Sequence, residues 1–152
     1  MSTKFYTRFA MVFAAMMMFA FTAFAQTTIS VPVADALDDV EQYLQDNDLT
    51  KDPPEQAGFM DQGSSDLELC NETEGVQQLV GIIFRNVQIP AGATITNAYV
   101  QFCADDDNDE AITLSIWGAK SPTVVAPWTD ELNSVSNLPK TTAKVSWTPA
   151  PW

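Results

Sequence analysis

Residues 79–102, LVGIIFRNVQIPAGATITNAYVQF, decide how this chain is read. In the first arm Val80, Ile82 and Phe84 share one face at the period of two that a strand requires. In the second arm Ala98, Val100 and Phe102 do the same, while Asn97, Tyr99 and Gln101 face the other way. Pro90 presets φ for a turn between the arms, and Gly92 accepts a positive φ. The reading is therefore strand, tight turn, strand. A two-stranded pair is marginal alone, so further strands are expected from the rest of the chain.

Several stretches offer them. Residues 27–33, TTISVPV, are β-branched and alternating, with Pro32 favouring an edge. Residues 65–70, SDLELC, alternate with Leu67 and Leu69 inward. Ile112, Leu114 and Ile116 alternate with Thr113, Ser115 and Trp117, and residues 141–147, TTAKVSW, place Ala143, Val145 and Trp147 on one face. Residues 35–45, DALDDVEQYLQ, read differently. Leu37, Val40 and Leu44 have helical spacing, which predicts a short amphipathic helix. The sharper alternative makes Asp38, Asp39 and Glu41 cation ligands or rim contacts. Residues 45–63, with Pro53, Pro54 and Gly58, predict a long surface loop, as do residues 121–139, which carry Trp128. The expected fold class is all-β, a two-sheet sandwich of jelly-roll type with one short helix near the N-terminus. About six strands are fewer than such a sandwich normally uses. Either the module continues in a longer protein, or a partner completes its open sheet edge.

The N-terminal segment is read apart from the fold. Lys4 and Arg8 precede an uncharged apolar run over residues 9–21, and Ala23-Phe24-Ala25 fits a small-x-small cleavage site. Residues 1–25 are expected to be a signal peptide, with an uncleaved anchor as the alternative. Of 152 residues, residues 26–152 then form one domain. Removing Lys4 and Arg8 leaves five of the seven cations against twenty acids, and the formal charge moves from −13 to −15. Such a surface repels nucleic acid and anionic membranes but tolerates cations and neutral ligands such as sugars. Histidine is absent, which removes the commonest general base and a main zinc ligand.

Cys70 and Cys103 are the only cysteines. In an exported chain they are expected to form a disulfide, with two separate buried thiols as the alternative. The run DDDNDE at residues 105–110 offers alternate carboxylates at Asp105, Asp107 and Asp109, suited to Ca²⁺. It is not an EF-hand, since position six is Glu110 and position twelve is Ile116. Its plainer reading is a solvated acidic loop that keeps a sheet edge from aggregating. Tyr99 and Trp117 lie on the polar faces of their strands and form a platform for a sugar ring if those strands are neighbours. A second buried face would remove that platform. Trp128 is a further ligand-binding candidate, while Trp147 belongs to the core. Twenty acids guarantee carboxylate pairs by chance, and without histidine no triad is possible, so no catalytic residue is assigned.

Val80-Gly81-Ile82-Ile83-Phe84 and the following Ile89-Pro90-Ala91-Gly92-Ala93-Thr94-Ile95-Thr96-Asn97-Ala98 resemble the core of jelly-roll modules in bacterial surface proteins. Those modules form the broad DNRLRE-type and carbohydrate-binding-like group. Asp38-Asp39-x-Glu41, Ser64-Ser65-Asp66-Leu67-Glu68-Leu69 and Ser146-Trp147-Thr148-Pro149 extend the resemblance over residues 31–152. It implies a non-catalytic, secreted or cell-surface β-sandwich, often one unit of a larger protein. In that group the module continues past the final tryptophan with more strands, and polar residues stand where this chain has Cys70 and Cys103. The expected partner is a glycan or other cell-surface polymer, with Ca²⁺ as a structural ion. The rival expectation is a structural or adhesive subunit that self-associates through an edge strand.

Overall fold

A computed structural model describes residues 26–71, 75–105, 107, 111–121 and 128–151. The proposed signal peptide, residues 1–25, lies outside the described residues. The described chain is mostly β, with almost no helix, in two small antiparallel sheets. Strands β1 (Asp39–Tyr43), β2 (Met60–Asp61) and β3 (Gln78–Ile82) form the first sheet in the order β2-β1-β3. Strands β4 (Leu114–Ala119) and β5 (Lys140–Trp147) form the second. Among the described residues no strand of one sheet touches a strand of the other.

The helix expected over residues 35–45 is replaced by a turn followed by β1, the central strand of the first sheet. Sequence reading failed here because β1 is covered on both faces, so its side chains do not alternate between oil and water. Val40, Glu41, Gln42 and Tyr43 are all buried, whereas Leu37 and Leu44, which completed the helical spacing, are exposed. Val40 and Gln42 face the segment 128–138, and Val40, Met60, Ile83 and Trp128 form the core there with Val135 and Leu138 against it. The opposite face meets the segment 64–70, where the Glu68 amide donates to Glu41 Oε1 at 2.6 Å. Tyr43 stacks on Phe59 at 5.8 Å.

Gln42 fastens the 128–138 segment to β1. Its Oε1 accepts the amides of Val135 at 3.1 Å and Ser136 at 2.8 Å, and its Nε2 donates to Ser136 Oγ at 3.1 Å. Gln42→Leu keeps the volume but leaves two backbone donors without an acceptor, so it is expected to cost about 2–3 kcal/mol. Urea unfolding followed by tryptophan emission checks this, and an unchanged midpoint would refute the role.

The opening stretch is half as expected. Its first arm is β3, paired with β1 from Asp39↔Ile82 to Tyr43↔Gln78. Its turn forms too: the Ala93 amide donates to the Pro90 carbonyl at 3.1 Å, with Gly92 at φ +80°. The second arm forms no strand, and Ile95, Tyr99 and Val100 stand exposed. Alternation chooses which face of a strand is apolar, but a ladder also needs a neighbour within hydrogen-bonding distance. Residues 27–33 and 65–70 likewise carry strand patterns without forming strands. Residues 141–147 lie within β5, and the strand expected around residues 112–117 appears as β4.

Candidate ligand-binding face

The β4–β5 hairpin displays Trp117. Its register is Leu114↔Trp147, Ser115↔Ser146, Ile116↔Val145 and Trp117↔Lys144, and it then jumps to Ala119↔Lys140. One residue of β4 therefore spans three of β5, a bulge that keeps the facing parity while drawing Lys140 toward Trp117. Thr141 holds the bulge. Its hydroxyl accepts the Gly118 amide at 3.2 Å and donates to the Ala143 carbonyl at 2.8 Å. The Lys140 ammonium consequently sits 5.1 Å from the Trp117 ring centroid, and that of Lys144 sits 5.7 Å from it. The indole remains 39% exposed.

By strand parity Ser115, Trp117, Ala119, Lys140, Thr142, Lys144 and Ser146 share this face, and no acid stands among them. That is unusual in a chain with twenty acids. Lys51 pairs with Glu55 and Arg85 with Asp38, near the first sheet. Lys120, Lys140 and Lys144, all on the hairpin or at its end, have no ion-pair partner among the described residues.

The other sequence-derived candidates are scattered. Tyr99 is 75% exposed, but no ring contact joins it to Trp117 among the described residues, so the two do not form one platform. Trp128 is buried in the first-sheet core instead of lining a surface, and Trp147 stacks on Phe102 at 5.6 Å. Cys70 and Cys103 are both free thiols, so the expected disulfide is absent. Cys103 is exposed, and burial pushes the Cys70 thiol above its ordinary value. Asp109 lies outside the described residues. Among the described residues no group of three or more acidic or thiol side chains is placed to hold a metal ion.

Two acidic sites involve Asp38 and Glu41, which the sequence offered as cation ligands or rim contacts; both side chains are buried. Glu41, only 1% exposed, meets Glu68 across β1, with Asp61 paired to it on β2. Burial, the Glu68 carboxyl group and the nearby Asp61 charge push Glu41 up to about 9. The pair resembles the acid half of a glycosidase, yet the two carboxyl groups touch each other instead of flanking a bond. The adjoining cavity, lined by Asp39, Asp61 and Ser64 among others, is about 60 Å³, far below a sugar ring with its water. A protonated Glu41 is therefore a structural group.

That assignment has a pH signature. Folding binds a proton to Glu41 that the unfolded chain releases between about pH 4.5 and pH 9. Its contribution is most favourable at the acid end, falls as pH rises through that window, and levels off above it. Glu41→Gln preserves both hydrogen bonds without a titration. At pH 8 the variant is expected to melt about 3 °C or more above the wild type, and at pH 4.5 the two should coincide. Parallel melting curves across this range would sink the assignment of a protonated Glu41.

Asp38 and Arg85 form the second site. Asp38 is almost wholly buried, and Arg85 Nε donates to its Oδ1 at 2.6 Å. Both line a cavity of about 260 Å³ with Ala34, Asp35, Leu37 and Asn86. No helix among the described residues is long and apolar enough to cross a membrane. No protein-family model, curated protein or solved structure matches the chain.

Proposed function

We propose that this chain is a non-catalytic, exported module of jelly-roll type that binds carbohydrate, with Trp117 as the stacking ring. The observation that carries the reading is the hairpin face where the exposed indole lies with the hydroxyl-bearing Ser115, Thr142 and Ser146 and, among the described residues, with no acid. A ring face receives sugar C–H groups, and flanking hydroxyls exchange hydrogen bonds with the sugar. Resemblance to surface jelly-roll modules supports the same direction. Glycan arrays and affinity electrophoresis test it, with and without millimolar Ca²⁺. Trp117→Ala is expected to weaken any glycan hit at least tenfold, about 1.4 kcal/mol. No hit with the wild-type chain, or hits indifferent to Trp117, would end this reading.

A second reading has its own support. Residues 94–103 make no backbone-to-backbone hydrogen bond among the described residues, although their pattern is that of a strand. The outer edge of β5 is also unpaired among them, and Val145, cross-strand from Ile116, is 61% exposed. Such edges accept a strand from another chain. A structural or adhesive subunit that joins copies in this way would grow in mass with concentration by light scattering. Val145→Lys would then hold it monomeric.

A further inference from the structure

We infer that the ligand of the β4–β5 face is an acidic polysaccharide, one whose sugar ring lies on Trp117 while its carboxylates meet Lys140 and Lys144. The inference rests on the glycan reading and sharpens it. A neutral sugar needs only the indole and hydroxyls. This face adds two ammoniums, each within 6 Å of the same ring centroid. Elsewhere Lys51 and Arg85 are each taken up by a carboxylate. Twenty acids occur in the chain, and among the described residues none shares the strand face of the hairpin lysines.

The bulge strengthens the case. Continued regular pairing would put Thr142 opposite Ala119 and carry Lys140 beyond the hairpin's paired region. The two extra β5 residues bring it back beside Trp117, and Thr141 holds them there through its bonds to Gly118 and Ala143. Bulges re-aim side chains in this way at binding sites. The cations stay available because a lysine resting on an indole is held only weakly, by about 0.5–1 kcal/mol at exposed sites. Among the described residues neither ammonium has an ion pair for an incoming carboxylate to break.

Overall charge decides which polyanion fits. Double-stranded DNA carries one charge per roughly 1.7 Å of axis and meets a protein through many phosphates at once. Against a net charge of −13, such a dense, long polyanion is repelled beyond the hairpin. A uronate chain carries at most one charge per sugar and presents apolar C–H faces between charges. It matches a patch of one indole and two ammoniums.

The test is calorimetric titration of the chain with tetragalacturonate and with its fully methyl-esterified, uncharged form, in low-salt buffer without Ca²⁺. The acidic oligomer is expected to bind at least tenfold more tightly than the ester. Lys140→Gln with Lys144→Gln should erase that difference, and Trp117→Ala should weaken both ligands. Thr141→Val, acting by position, should weaken only the acidic oligomer. Circular dichroism confirms that each variant retains its fold. Equal binding of acid and ester would overturn the acidic-ligand inference and leave the glycan reading standing. Binding of neutral glycans elsewhere on an array, with no response to either galacturonide, would overturn it too. A duplex DNA or phosphatidylglycerol vesicle bound as tightly as the tetramer would reduce the face to a general anion patch and refute the proposal.

Discussion

Trp128→Ala is expected to lower stability by about 3–5 kcal/mol, the range for emptying a buried aromatic site. The indole is 8% exposed and lies against Gly81, where an added Cβ would come within 2.6 Å of its Cζ2 and 3.0 Å of Val135 Cγ2. Gly81 is opposite Val40 in the ladder, so the ring rests directly on the backbone of the β1–β3 pair. Removing it takes away the largest member of a core cluster that otherwise holds Val40, Met60 and Ile83. A small domain has about 5–15 kcal/mol in all, so one change at this ring removes a large share. Trp128→Phe should lose much less, because the indole N–H has no hydrogen-bond partner among the described residues to forfeit. Gly81→Ala should be destabilising from the other side, by about 1–3 kcal/mol, through overpacking. Urea titrations of the three variants check the account. It fails if Trp128→Ala unfolds within 1 kcal/mol of the wild type.

Arg85→Leu is expected to cost about 3–5 kcal/mol as well, for a different reason. Asp38 is 1% exposed, its Oδ1 takes the Arg85 Nε hydrogen bond, and its Oδ2 has no hydrogen-bond partner among the described residues. Without the guanidinium, a carboxylate stays buried with its main partner gone. Asp39 beside it is already raised above its ordinary value, by burial first and by the Asp38 charge in smaller part. The informative comparison is the double variant Asp38→Leu with Arg85→Leu. If the pair is chiefly a compensated burden, removing both partners should recover most of the loss. A double variant as unstable as the sum of the two singles would show that Asp38 and Arg85 act independently.

What the sequence revealed follows its physics residue by residue. Val80 and Ile82 on β3, and Val145 and Trp147 on β5, were legible because alternation is local. The partners of those strands were not. Nothing in Ile95, Tyr99 and Val100 says that their segment finds no neighbour, and nothing in DVEQY says that both its faces are covered. Buried Glu41 and Gln42 read as solvent residues until the groups that satisfy them, Glu68 and the amides of residues 135 and 136, are known. Trp117 was singled out correctly as lying on the polar face of its strand. Lys140 and Lys144 were missed because a bulge leaves no mark in composition. Trp128, placed in a Pro-flanked loop, gave no local sign that the loop would fold back over the first sheet.

The Gln42 fastening also sets an order of events. Residues 42 and 136 lie 94 positions apart, so the environment of the central strand is completed only by chain made long after it. During synthesis β1 and β3 can pair early, but the pair has no cover for Gly81 and no donors for Gln42 until residues 128–136 arrive. Contacts of this span fold slowly, since loop closure precedes any gain from packing. The first sheet therefore becomes a finished structure only once residues 128–136 have been made, and until then its central strand remains open to whatever else can hold it.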